Sequence, residues 1–91
     1  MTPSFTPLAV PLALAEIRQL CATGAARSIR EDAGLSLREI ADHLGVGVTT
    51  ISVWERNEQR PTGDRALRYH QLLLELANRR AFRVVPPAAR T

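Results

Sequence analysis

The 91-residue chain contains no lysine: all 12 of its basic residues are arginine. Its single cysteine, Cys21, excludes an internal disulfide, and with no histidine near it in sequence it offers no zinc site. Aromatic residues make up only 4% of the chain, which makes its one tryptophan, Trp54, conspicuous. The apolar stretch from Leu8 to Ala15 is too short to cross a bilayer. It also contains Pro11 and follows no basic residue, so it matches a secretory leader poorly. No nucleophile stands beside a base, and there is no glycine-rich phosphate loop or carboxylate cluster. His43 and His70 are expected on exposed helix faces, and Asp42 and His43, adjacent on a helix, point about 100° apart. These absences lead to the expectation of a non-enzyme without metal, cofactor or membrane partner, located in the cytoplasm.

What is present begins with charge. Residues 1–50 carry four Arg and five acids, whereas residues 51–91 carry eight Arg and four acids. A basic half suits a polyanionic partner, and equally a well-solvated surface. Hydrophobic residues at 45% allow a packed core, but a chain this short supplies one small domain of modest stability.

Pro3, Pro7 and Pro11 mark residues 1–11 as a flexible arm, since proline lacks an amide hydrogen and disfavours helix in the residue before it. A domain over 12–79 follows. Its first segment, Leu12 to Ala33, is rich in Ala and Leu; Thr23-Gly24 leaves open whether it is one helix or two. Gly34 ends it. Ser36-Leu37-Arg38-Glu39 fits a capping box and starts the next helix, with Leu37, Ile40, Ala41 and Leu44 at helical spacing. Gly45 stops that helix, and a third runs from about Val48 to Arg56, ended by Asn57, which tolerates the left-handed conformation. Residues 57–63 read as a loop and Asp64 to Arg79 as a final helix. In the tail, 80–91, a short strand over 82–85 is expected, ended by Pro86-Pro87.

Ala41, small enough for close helix contact, stands four positions before Gly45, which is free to take positive φ. Apolar Ile40, Leu44, Val46, Ile51 and Trp54 supply an inner face. Polar Arg38, Asp42, His43, Thr49, Thr50, Ser52 and Arg56 occupy the outer one. This is the physical recipe for a helix-turn-helix over 36–56. Arg56 and Arg60 flank its second helix and, with Arg38, are candidate phosphate contacts.

In this order and spacing, Gly34-Leu35-Ser36, Ile40-Ala41, Leu44-Gly45-Val46, Ile51-Ser52, Trp54-Glu55-Arg56 and Arg60-Pro61 resemble the Cro and lambda-repressor-like helix-turn-helix domains, over roughly residues 26–74. The resemblance implies an all-α fold, a compact bundle of four or five helices, often dimeric. It implies that Val48, Thr49, Ser52 and Val53 face the DNA bases, and that Ser36 and the Arg56-Asn57 loop contact phosphates. It also implies a salt bridge between Arg30 and Glu55. Two departures matter. Leu37 stands where the family commonly has a phosphate-binding Gln, and Val48, Thr49 and Val53 cannot make the bidentate contacts that read guanine or adenine. Direct readout is therefore expected to be weak and biased toward thymine methyls, helped by DNA shape.

The resulting expectation is a sequence-specific regulator of transcription, a bacterial or phage repressor acting as a homodimer on an inverted-repeat operator in double-stranded DNA. The apolar excess of Leu72 to Leu76 suits such a dimer. The alternative is an antitoxin-type module that binds a partner protein and autoregulates its operon; a phage recombination accessory is a third role.

Overall fold

In the computed structural model the backbone is described over residues 5–83 and the side chains over residues 8–79. Gly24 sets the first feature of the fold. At φ 86° it occupies a left-handed conformation that costs an L-residue about 1–2 kcal/mol. It thereby divides the Ala- and Leu-rich segment into α1 (Phe5–Thr23) and α2 (Ala25–Asp32). The Thr23 hydroxyl holds the break: it donates to the Leu20 carbonyl and accepts from the Ala25 amide, both at 3.3 Å.

The start of α1 corrects the sequence expectation, which began helix at Leu12 and assigned residues 1–11 to an arm; residues 5–11 are helical. Pro7 falls in the first turn, where amides have no intrahelical acceptor, so Pro11 is the residue that removes an interior hydrogen bond. Residues 1–4 lie outside the described residues.

Two short helices follow, α3 (Leu37–Leu44) and α4 (Val48–Glu55), and then the long α5 (Gly63–Arg83). The ends of α3 are fixed locally. Ser36 Oγ accepts from the Glu39 amide at 3.0 Å, and Glu39 Oε1 accepts from the Ser36 amide at 2.8 Å. At the other end Gly45, at φ 73°, lets the Val46 amide reach back to the Ala41 carbonyl at 3.0 Å, closing the helix with a hydrogen bond that few other residues at this position permit. Asn57, the only non-glycine residue at positive φ among those described, ends α4 in the same way, with the Glu58 amide bonded to the Val53 carbonyl at 2.9 Å.

The described residues contain no strand. The strand expected over 82–85 is therefore corrected at Phe82 and Arg83, which continue α5; residues 84 and 85 lie outside the described residues. The 3.6-residue periodicity of α5 carries on through Ala81 with nothing to stop it, and the first proline comes only at Pro86.

All five helices of the described residues contribute to one core. Ile17 and Cys21 come from α1, Ala26 and Ile29 from α2, and Ile40, Ala41 and Leu44 from α3; Ile51 and Trp54 come from α4, and Ala66, Tyr69 and Leu73 from α5. Trp54 and Tyr69 stack with ring centroids 5.5 Å apart. His70, expected exposed, is instead mostly covered and bonded to Glu16 at 2.6 Å, because α1 packs along α5.

Burial pushes the Cys21 thiol up to about 11, with the Glu55 carboxylate adding to the shift. The folded chain thus holds this proton to higher pH than the unfolded chain, whose thiol titrates near 9.0. Stability is expected to fall as pH rises from about 9 toward about 11. At pH 8, a thiol-disulfide reagent should label Cys21 only at the rate of unfolding; fast labelling of native protein would contradict this burial.

Candidate nucleic-acid interface

The second helix of the motif is eight residues long, too short to persist alone in water. Two buried side chains, Ile51 and Trp54, seat it against the core. With those positions turned inward, the remaining ones sort by exposure. Thr49 is exposed. Ser52 is half-buried, and Val48 and Val53 pack partly against the core while keeping some surface. The four residues expected to face DNA bases thus share α4, but the two valines divide their surface between core and solvent.

Around α4 stand the residues expected at phosphates. Ser36 is exposed at the start of α3; its oxygen is taken by the Glu39 amide, which leaves the hydroxyl proton to donate outward. Arg38, Asn57 and Arg60 are exposed. Arg56 is exposed too, but it is engaged: Nε and Nη2 donate to the two carboxylate oxygens of Glu58 at 2.9 and 3.0 Å, and Nη1 donates to Ser52 Oγ. This pairing holds the Glu58 carboxyl below its usual range and lifts the Arg56 guanidinium above its own. Because both partners are solvent-exposed, the pair is readily exchanged for another anion.

Arg30 and Glu55 lie behind this surface in a two-point ion pair. Arg30 Nε donates to Glu55 Oε2 at 2.6 Å and Nη2 to Oε1 at 3.0 Å, while Nη1 donates to the Leu35 carbonyl at 2.9 Å. The hydrogen bond to Glu55 is the main reason the guanidinium is held above its ordinary range, against the opposing effect of burial. One side chain of α2 therefore ties the approach to α3 to the end of α4.

Three residues near the motif escaped sequence reasoning. Arg27 pairs with Glu31 one helical turn away, at 3.0 Å, a local pattern common on any helix. Glu58 had no signal beyond its place in a polar loop. Arg18 donates to the Pro61 carbonyl at 2.9 Å, pinning the loop after α4 to α1. No group of three or more metal-ligating side chains occurs among the described residues, and no described helix is long and apolar enough to cross a membrane.

A short first helix, a tight turn at a positive-φ glycine and a second helix seated by Ile51 and Trp54 make up the helix-turn-helix geometry. A helix-turn-helix family model matches residues 27–73, more than half of the chain. No curated protein and no solved structure matches it. The chain belongs to the helix-turn-helix family of XRE type, the Cro and lambda-repressor-like family, and is a DNA-binding regulator of that type.

Proposed function

We propose that the protein is a sequence-specific transcriptional repressor that places α4 in the major groove of an operator, with Val48, Thr49, Ser52 and Val53 toward the bases and Ser36, Arg38, Arg56, Asn57 and Arg60 toward phosphates. The observation that carries this reading is the seating of α4. Its buried side is used up by Ile51 and Trp54, and a small, uncharged surface ending at Arg56 is left outward. Such a surface makes apolar contacts to thymine methyls and single hydrogen bonds, a weak code for one reading head. A twofold dimer doubles it across half-sites about 34 Å apart.

The dimer reading has support of its own. Leu8, Leu12 and Leu74 are 61%, 64% and 41% exposed, and no charged residue occurs between Phe5 and Ala15. Leu8 and Leu12, four apart, share one side of α1. A second copy would bring an equally uncharged surface to cover them. The same patch favours the second reading, an antitoxin-type module whose partner protein covers it while the helix-turn-helix represses its own operon. In either case the protein works in the cytoplasm.

Selection from a random duplex pool at about 150 mM salt, where non-specific contacts are weakened, tests the proposal. The expected result is an enriched inverted repeat with thymines in each half-site. Enrichment of a lone half-site would remove the dimer. No enrichment would overturn sequence-specific repression and put the partner-binding reading first.

A further inference from the structure

Leu37 presents only hydrocarbon at the first position of α3, so its side chain adds no donor to those of its neighbours Ser36 and Arg38. Behind it lies a cleft of about 360 Å³ between α2 and the end of α4, walled by Arg27, Arg30, Leu37, Ser52, Glu55 and Arg56. Three guanidinium groups and one carboxylate line this cleft. The carboxylate is already paired, since both oxygens of Glu55 accept from Arg30. Its partner is thus Arg30, and not Arg27 or Arg56.

The acids that hold those two arginines lie outside the cleft, and Arg56 also donates to Ser52 in its wall. Arg27 Nε is bonded to Glu31, and Arg56 to Glu58; neither acid is among the residues that line the cleft. Both pairs are more than half exposed at all four side chains, so they are weak and open to exchange. The cleft thus has two arginine walls whose acid partners are exposed and exchangeable, a hydrocarbon wall and no unpaired carboxylate.

We propose that this cleft binds one phosphate of the DNA backbone, with Arg27 gripping it from α2 and Arg56 from α4. The proposal rests on the reading of the chain as a duplex-DNA binder and adds Arg27 to its contact surface. Planar guanidinium forks match the oxygens of a phosphodiester in paired hydrogen bonds. The contact ignores base identity, so it positions α4 without specifying sequence. Glu31 competes with the phosphate for Arg27 and weakens binding.

The test is duplex affinity between 50 and 200 mM salt for the full chain and for R27A, E31Q and, as a control outside the cleft, R65A, each checked for unchanged unfolding. Arg27→Ala is expected to weaken binding equally on selected and random duplexes. It should also flatten the slope of log K against log salt by about 0.9, the value for one phosphate contact. Glu31→Gln is expected to tighten binding, and Arg65→Ala to leave the slope alone. If wild-type protein binds duplex and Arg27→Ala keeps its full slope, this site is overturned while the DNA-binding reading stands. If wild-type protein binds no duplex, both fall. Inorganic phosphate titrated against the Arg27 Nε resonance separates the sources: a shift without any loss of duplex affinity in Arg27→Ala would mean a free-anion site and overturn the backbone assignment.

Discussion

Replacing Arg30 with alanine is expected to lower the unfolding free energy by about 3–5 kcal/mol, the usual cost of leaving one partner of a buried ion pair alone. The two side chains are only 11% and 5% exposed. After the substitution the Glu55 carboxylate loses the two hydrogen bonds from Arg30, and the Leu35 carbonyl loses the one from Arg30 Nη1. For a domain whose whole stability is about 5–15 kcal/mol, and at the low end for its size, this is a large fraction. Lysine should recover little, because a single ammonium cannot bond two carboxylate oxygens and a carbonyl in the fork geometry of Arg30. Replacing both Arg30 and Glu55 with methionine should cost much less than the alanine variant, since no charge is then buried unpaired. Urea unfolding followed by Trp54 fluorescence reads all of these. An Arg30→Ala variant within 1 kcal/mol of wild type, a difference on the scale of an exposed pair, would mean that water reaches Glu55 and that the pair is ordinary surface chemistry.

The legible parts of the fold are those written in adjacent residues. Ser36 and Glu39 are three apart and cap α3 in the helix they begin, and Gly45 ends that helix with a bond to its last turn. Periodicity sufficed for Ile40, Leu44, Ile51 and Trp54, because a short amphipathic helix has one way to hide its apolar side. Gly24 was legible as a candidate break and no more: glycine is tolerated inside a helix at modest cost, and only the packing of α1 and α2 against the core selects the left-handed state. The beginning of α1 is not legible because three prolines in eleven residues signal a tail, although two of them, Pro7 and Pro11, lie within the helix.

The candidate interface was harder to read for a different reason. Its residue types follow from the family pattern, but their engagements depend on the folded chain. Glu58 reaches Arg56 because Asn57, at φ 59°, turns the backbone between them. Arg27 meets the motif only after Gly24 redirects the chain and brings α2 beside the end of α4. His70 reads as a surface residue until α1 places Glu16 against it. In each case the missing information was the neighbour across a turn or a helix contact, which spacing along the sequence does not carry.

Trp54→Ala is expected to cost about 3–5 kcal/mol, on the scale of other large-to-small changes of buried aromatics. The indole is 6% exposed and stacks on Tyr69 with an interplanar angle of 27°, so its loss opens a cavity between α4 and α5. The consequence reaches function through the length of α4. An eight-residue helix seated mainly by two buried side chains has little reserve when one is removed, and its C-terminal turn is then left to half-buried Val53 and the Glu55–Arg30 pair. That turn carries Arg56, and with Glu55 it carries the other end of the Arg30 pair. Trp54→Ala should therefore weaken DNA binding even under conditions where circular dichroism reports that most helix survives. Trp54→Phe keeps an aromatic face toward Tyr69 and should retain binding with a smaller stability loss. Measuring helicity, urea unfolding by circular dichroism and duplex affinity on both variants separates the two roles. If Trp54→Ala unfolded at the wild-type urea midpoint, the indole would not be anchoring the core. If it kept wild-type affinity while destabilised, the position of α4 would be set by Ile51 and the turn at Gly45 rather than by the stack on Tyr69.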